Sequence, residues 1–145
     1  MMIEEKVEDL KNKFNRFDDW MGKYQYVIAL GKKQNGFNEE WRIDDNEVRG
    51  CQSKVWLVTE KVDDNLKFYS DSDSAITKGI SYLLSYVYSD EKPEDIIEHQ
   101  PTFVKEIGLV DALSPTRQNG LKSMILKIKS FASQQYLENL PKPIT

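Results

Sequence analysis

The spacing of apolar residues changes twice along the chain, and no other feature restricts the fold as strongly. Over residues 3–31 apolar side chains recur every three or four positions, which predicts two helices. Between residues 47 and 70 they fall instead into short runs rich in β-branched and aromatic residues, which are typical of strands. From residue 73 onward the helical spacing returns. This order of elements predicts an α+β fold.

The strand region predicts a small three-stranded antiparallel sheet packed against the helices. The candidate strands are Glu47–Arg49, Lys54–Val62 and Leu66–Ser70. Turn-forming residues 63–65 join the last two strands, and Gly50–Ser53 form the reversal between the first two. Strands that are joined by such short turns pair antiparallel.

Capping residues predict where several helices begin and end. Asp18 or Asp19 can open the second helix, and Gly31 lies where a left-handed C-terminal cap is expected. The next long helix has Asp71 or Asp73 as its expected N-cap.

The length and composition predict one folded domain followed by a short tail. With 145 residues, of which 39% are apolar, the chain is long enough to bury a sizeable core. We place the domain at residues 1–132. Residues 133–145, which include a Pro-Lys-Pro segment, are predicted to be a flexible tail.

The charge and the apolar runs exclude several functional classes. A net charge of −4 argues against a general nucleic-acid binder, because binding to phosphates is driven by an excess of positive charge. No apolar run approaches the roughly 20 residues of a membrane span. The charged N-terminus lacks the apolar core of a signal peptide, so we expect a cytoplasmic protein. One cysteine and one histidine exclude an internal disulfide and argue against a zinc or iron–sulfur site.

Cys51 is the residue that most directly suggests chemistry. It lies in the predicted reversal between Gly50 and Gln52, which are not typical core residues. Arg49 and Lys54 are close in sequence, and positive charges lower the pKa of a thiol and enlarge its thiolate fraction. Free cysteines are nevertheless among the most buried residues. These residues alone therefore leave a reactive thiol and a structural thiol equally open.

Two other residues suggest further possibilities. His99 would be the base for Cys51 in a stand-alone Cys/His thiol hydrolase or peroxidase, which would require the imidazole within about 4 Å of the sulfur. The plainer interpretation is a histidine stabilised by the end of a helix. Arg117 follows Pro115 in the first turn of a predicted helix, where a cation opposes the helix dipole. That position suggests that Arg117 has another partner, although an ordinary surface role also stays open.

Three blocks of the sequence resemble the SufE family of cysteine desulfuration proteins. Gly50–Trp56, which reads GCQSKVW, is similar to the family signature GCQSxVW. Asp71–Gly79 resembles the family segment DSDAAIxxG, with Ser74 in place of an alanine. Leu113–Leu121 resembles LxPxRxxGL. The blocks occur in the family's order, and the likeness covers about residues 10 to 132.

The resemblance implies a sulfur carrier whose α+β fold is similar to that of IscU-type iron–sulfur scaffolds. In this family a separate cysteine desulfurase holds sulfur as a persulfide and passes it to the carrier's single active cysteine, here Cys51. The carrier also stimulates the desulfurase and delivers sulfur to an iron–sulfur scaffold complex. The implied donor is a SufS-like or CsdA-like desulfurase. The pyridoxal phosphate cofactor belongs to that partner, so no cofactor or metal is expected in this chain.

The resemblance also implies roles for residues around the thiol. Three neighbours are expected to shape the loop: Gly50, Gln52 and Ser53. Asp73 and Arg117 are expected to anchor the loop or to contact the partner. The family's resting thiol is tucked against apolar side chains, for which the candidates here are Trp56 or Leu57 together with the helix that bears Ile76. The sequence leaves open whether Cys51 is buried at rest, and whether the free protein is a monomer or a weak homodimer.

Overall fold

An antiparallel hairpin and one long central helix organise the fold. The computed structural model describes residues 2–34 and 36–142. The elements follow in this order: α1 (Ile3–Phe14), α2 (Trp20–Gly31), 3-10 turns at Glu39–Trp41 and Asp44–Asn46, β1 (Val55–Val62), β2 (Asn65–Ser72), α3 (Ala75–Tyr88), α4 (Pro93–Glu98), α5 (Phe103–Glu106), α6 (Leu109–Ala112) and α7 (Pro115–Asn139). The α+β class is confirmed.

The sheet of the described residues has two strands, so the predicted number of three is wrong. β1 and β2 pair antiparallel along their whole length, from Val55 opposite Ser72 to Val62 opposite Asn65. The expected first strand is reduced to one isolated bridge between Glu47 and Trp56. It does not extend because a 3-10 turn ends just before Glu47 and a turn with a left-handed glycine follows Arg49.

The central helix α3 packs between β2 on one side and α2 on the other. The approach to α2 is close enough to require glycine. A Cβ atom on Gly79 would lie 2.0 Å from the carbonyl oxygen of Val27, and one on Gly31 would lie 2.8 Å from the backbone nitrogen of Gly79. The expectation of a left-handed cap at Gly31 is therefore wrong. Gly31 ends α2 in helical conformation, and its small size serves the helix crossing.

The helix caps agree with the sequence at α2 and differ at α3. Asp19 is the N-cap of α2, and its carboxylate accepts a hydrogen bond from the backbone of Gly22 at 2.8 Å. The N-cap of α3 is Ser74, so the prediction of Asp71 or Asp73 is wrong. Both carboxylates are engaged elsewhere, as the site geometry below shows.

The last helix runs past residue 132, where the sequence places the start of a tail. α7 continues to Asn139, and its C-cap is Leu140. The helix continues because apolar and helix-favouring residues extend beyond residue 132. Residues 143–145 of the expected tail lie outside the described residues, and the tail's flexibility stays a prediction.

In the part of the chain that the structure describes, no helix combines the length and apolarity needed to cross a membrane.

We predict that Gly79→Ala destabilises the protein, although alanine is the better helix former. Helix propensity alone would favour alanine by about 1 kcal/mol. The clash with the Val27 carbonyl instead forces α2 and α3 apart, and overpacking of this kind costs about 1–3 kcal/mol or more. Urea denaturation measures the free energy of unfolding. An unchanged or increased value would show that the two helices do not need this close approach.

Candidate functional site

The loop that carries Cys51 is fixed at both of its ends. It connects Val48 to Val55, and the backbone N–H of Val48 donates a hydrogen bond to the carbonyl of Val55 at 2.8 Å. At its C-terminal end the backbone N–H of Lys54 donates to the Asp73 carboxylate at 3.0 Å. The hydroxyl of Ser72 donates to the carbonyl of Lys54 at 2.7 Å. Asp73 is expected from the family resemblance to anchor the loop or to contact a partner. In the structure its carboxylate accepts a hydrogen bond from the loop backbone.

Gly50 allows the loop to lie close against α7. Its φ of +88° is in the left-handed region, which L side chains rarely adopt. A Cβ atom there would also lie 2.6 Å from the hydroxyl oxygen of Ser123. Both the turn and the close approach to the helix therefore favour glycine.

A second glycine, within α7, makes room for the sulfur. The Sγ of Cys51 lies 3.6 Å from the carbonyl oxygen of Gly120, in position to donate a hydrogen bond. A Cβ atom on Gly120 would lie only 3.3 Å from that sulfur. Only the protonated thiol can donate this hydrogen bond, since a thiolate has no proton. The resting contact therefore favours the thiol form.

Cys51 lines a cavity of about 260 Å³ between its loop, α3 and the first turns of α7. Ile80 and Met124 are the apolar side chains of this lining. Gln52 and Thr116, which also line the cavity, are exposed to solvent, so the cavity reaches the surface. Cys51 itself is partly buried. The thiol thus has both shielding and a route outward.

The expected apolar lining is wrong for the two strand residues and right for the helix. Trp56 and Leu57 do not line the cavity, because β1 begins after the loop and the cavity lies between two helices. The helix that bears Ile76 does line the cavity, through Thr77 and Ile80. Gln52 and Ser53 line the cavity beside the thiol.

The surroundings of the thiol raise its pKa. Burial raises the pKa of Cys51, and the negative charge of Glu47 raises it further. The expectation that Arg49 and Lys54 lower this pKa is therefore wrong. Both residues are exposed to solvent, where the charge of their side chains is screened. Protonation and partial burial together slow oxidation of the resting thiol, because the thiolate is the reactive form.

Arg117 reaches from the rim of the cavity to α2. Its backbone N–H donates to the hydroxyl of Ser114, the N-cap of α7, at 3.3 Å. Its guanidinium Nη1 donates to the hydroxyl of Tyr24 at 3.4 Å. The ring of Trp20 stacks on that of Tyr24 with centroids 4.7 Å apart. The cation that opposes the dipole of α7 thus has a partner on another helix.

A partly buried ion pair holds the segment before the loop against the hairpin. Asp71 is buried at the end of β2 and accepts a hydrogen bond from Nε of Arg42 at 2.9 Å. The two residues that follow Asp71 are Ser72 and Asp73, which bind Lys54. Neither Arg42 nor its pairing was indicated by the sequence, since only the tertiary fold brings it to Asp71.

His99 belongs to a different part of the molecule. Its Nδ1 lies 2.9 Å from the hydroxyl of Tyr88, and its ring packs near Phe103. Burial and the positive charge of Lys129 lower the pKa of His99. His99 lines a separate cavity from that of Cys51, so the Cys/His hydrolase interpretation gains no support. Within residues 2–34 and 36–142, no group of three or more His, Cys, Asp or Glu residues is arranged to hold a metal ion.

We predict that Glu47→Gln speeds alkylation of Cys51 by iodoacetamide at pH 7. Removing the charge takes away one of the two causes that raise the thiol's pKa, so the thiolate fraction below that pKa increases. The increase should be modest, because burial is the larger cause. Asp44→Asn, a change at an exposed acid of the same segment, serves as the matched control and should leave the rate unchanged. Equal rates for all three proteins would show that Glu47 does not act on the sulfur.

The sequence is similar to known proteins along most of its length. The SufE family model, described as an Fe-S metabolism associated domain, matches residues 8–132. An uncharacterised SufE-like protein of Rhizobium meliloti is 38% identical over 132 residues, which cover 87% of this chain and 94% of that protein. A similar protein of Rhizobium etli is 39% identical over 132 residues, covering 87% of this chain and 88% of the relative.

A solved structure shares the fold. The solution structure of a hypothetical protein from Thermus thermophilus matches with a TM-score of 0.74, covering 91% of this chain and 96% of that one. The two sequences are 18% identical, so this likeness concerns the fold alone. Because the family model spans most of the chain and the curated relatives match along nearly their whole length, the chain belongs to the SufE family, whose domain is associated with iron–sulfur metabolism.

Proposed function

We propose that the protein accepts persulfide sulfur from a cysteine desulfurase onto Cys51, stimulates that desulfurase and delivers the sulfur to iron–sulfur cluster assembly. The observation that carries the proposal is the placement of the thiol. The chain's one cysteine lies in a loop that is fixed at its ends, in a cavity that reaches the surface. Membership of a family associated with iron–sulfur metabolism supports the same function.

The transfer step is a displacement between sulfur atoms. The thiolate of Cys51 attacks the outer sulfur of the donor's persulfide, as in thiol–disulfide exchange. A bond forms between Sγ and the outer sulfur, the donor's S–S bond breaks, and the donor cysteine leaves with the electron pair as a thiolate. The donor persulfide is reduced to a thiol while Cys51 becomes the persulfide. No external oxidant or reductant is needed.

A single cysteine suits this chemistry. The acceptor needs one nucleophile, and the chain has only Cys51. A second thiol nearby would attack the new persulfide, form a disulfide and release the carried sulfur as sulfide. The lone cysteine thus favours storage of the sulfur until a recipient takes it.

The resting geometry sets the order of events. At rest, burial and Glu47 keep the thiol protonated, and its proton points at the Gly120 carbonyl. When a partner draws the loop tip out of the cavity, the Gly120 contact is lost and water reaches the sulfur. The main cause of the raised pKa is then removed, so the thiolate forms where the donor persulfide is presented.

The remaining residues of the site act on the loop and its partners. Asp73 holds the C-terminal end of the loop while the tip moves, and Gln52 and Ser53 line the cavity beside the sulfur. Arg117 lies on the cavity rim, where it contacts the desulfurase. The pyridoxal phosphate that releases sulfur from cysteine belongs to the desulfurase, and this chain works without a cofactor in the cytoplasm.

We predict that Cys51→Ser abolishes sulfur uptake and leaves the fold intact. Wild-type protein mixed with a SufS-like or CsdA-like desulfurase and cysteine should gain one sulfur atom, located by intact-mass and peptide mass spectrometry on the peptide that carries Cys51. The serine variant should gain none, because a hydroxyl does not attack a persulfide under these conditions. Full acceleration of sulfide production by the serine variant would contradict the carrier function.

We predict that Arg117→Ala weakens stimulation of the desulfurase severalfold without loss of folding. The guanidinium lies at the rim of the cavity and is partly exposed, so its removal affects the contact surface more than the core. Desulfurase rates at increasing carrier concentration measure the effect, and thermal unfolding checks the fold. Arg117→Lys is the matched variant, which keeps the charge but loses the fork-shaped donor. Unchanged stimulation by Arg117→Ala would return this residue to an ordinary surface role.

A further inference from the structure

An exposed tryptophan lies at the start of α2 and is linked through Tyr24 to Arg117, which lines the Cys51 cavity. Trp20 is 44% exposed, although tryptophan is a large residue that normally buries most of its surface. Its ring stacks on that of Tyr24, one turn further along the same helix. The Asp19 cap that begins α2 does not involve the indole. The fold therefore does not account for the exposed face of Trp20.

This tryptophan is continuous with the thiol site through two contacts. Trp20 stacks on Tyr24, and the hydroxyl of Tyr24 accepts a hydrogen bond from Arg117. Arg117 in turn lines the same cavity as Cys51. The rim of that cavity is largely polar, with Gln52, Thr116 and Arg117 around it. The nearest large apolar surface in this chain of contacts is the indole of Trp20.

We propose that Trp20, supported by Tyr24 and Arg117, is the apolar anchor by which this protein docks onto the persulfide-bearing desulfurase. The inference rests on the proposed function, since a donor that reaches Cys51 must cover the rim that Arg117 occupies. Tryptophan, tyrosine and arginine are the residue types most enriched among those that dominate binding energy at protein interfaces. The polar rim supplies orientation, and Trp20 supplies the apolar area that the rim lacks.

The stacked rings of Trp20 and Tyr24 are also suited to binding because they are held rigidly. The indole is held against Tyr24, whose hydroxyl is fixed by Arg117, so little side-chain entropy is lost when a partner covers it. The partner's matching surface is expected to be an apolar pocket next to the opening through which the persulfide is presented. This arrangement separates binding, carried by Trp20, from sulfur transfer, carried by Cys51.

The test compares Trp20→Ala with a matched aromatic control. Tyr136 on α7 is 42% exposed, close to the exposure of Trp20, and lies about 28 Å along the helix from Arg117 at a rise of about 1.5 Å per residue. Purified desulfurase from the same source organism, the one that loads sulfur onto the wild-type protein, is the binding partner. The measurements are the Kd by calorimetry, and the KM for carrier and kcat of the stimulated desulfurase.

We expect Trp20→Ala to raise the Kd and the KM for carrier about tenfold or more, the size of effect seen at interface anchors. The kcat at saturating carrier should stay within about twofold, because Cys51 is unchanged, and Tyr136→Ala should match the wild type. A Kd for Trp20→Ala within twofold of the wild type would overturn the inference. A loss of kcat with unchanged Kd would overturn it as well, since Trp20 would then act on transfer instead of binding.

A second measurement needs no variant. Hydroxyl-radical footprinting of the wild-type protein should show oxidation of Trp20 when free and protection in the complex with the desulfurase, while Tyr136 is oxidised equally in both. Equal oxidation of Trp20 in both states would overturn the inference even if Trp20→Ala failed to fold. If the wild-type protein gains sulfur on Cys51 but Trp20 is not protected, the carrier function stands and only the docking assignment fails. If the wild-type protein gains no sulfur from any desulfurase of the organism, both fail.

Discussion

The approach of the Cys51 sulfur to the backbone of α7 is the contact on which the site depends. It is possible because glycine occurs on both sides of it. Gly120 leaves space for the sulfur within the helix surface, and Gly50 lets the loop turn tightly against Ser123. Any side chain at either position would push the loop outward. The raised pKa of Cys51, its partial burial and its place in the cavity all follow from this approach.

The loop is held strongly at its ends and weakly at its tip. Lys54 is bound through its N–H and its carbonyl by Asp73 and Ser72, and the hairpin continues directly from it. The tip contributes a hydrogen bond from sulfur to Gly120. An ordinary neutral hydrogen bond has a net worth of about 1 kcal/mol, and bonds from sulfur are weaker. The tip can therefore leave its cavity while the hairpin and α7 stay folded, which is what the proposed delivery of a sulfur atom between proteins requires.

Elements distant in the sequence build the surface around the thiol. α2 contributes Tyr24, and the start of α7 contributes Arg117, which binds it. Asp71 at the end of β2 binds Arg42, which lies in the segment before the loop. Shortly after Asp71, Asp73 binds Lys54 at the end of the loop. The hairpin is thus the common support of the loop and of the segment that leads into it.

The sequence by itself determined the α+β class, the main helices and the β1–β2 hairpin, because these depend on local spacing and turn residues, and a distinctive motif indicated Cys51 as the candidate reactive residue. Only the tertiary structure decided the rest. Asp73 does not cap α3, because its carboxylate accepts a hydrogen bond from the backbone N–H of Lys54. Gly31 allows the close crossing of α2 and α3, which no local sequence pattern predicts. The pKa of Cys51 is raised by its burial against α7 and by Glu47, and the nearby cations Arg49 and Lys54 do not lower it. The hydrogen-bond partners, the burial and the pKa of a side chain depend on which distant segments of the chain come into contact, and only the folded structure decides that.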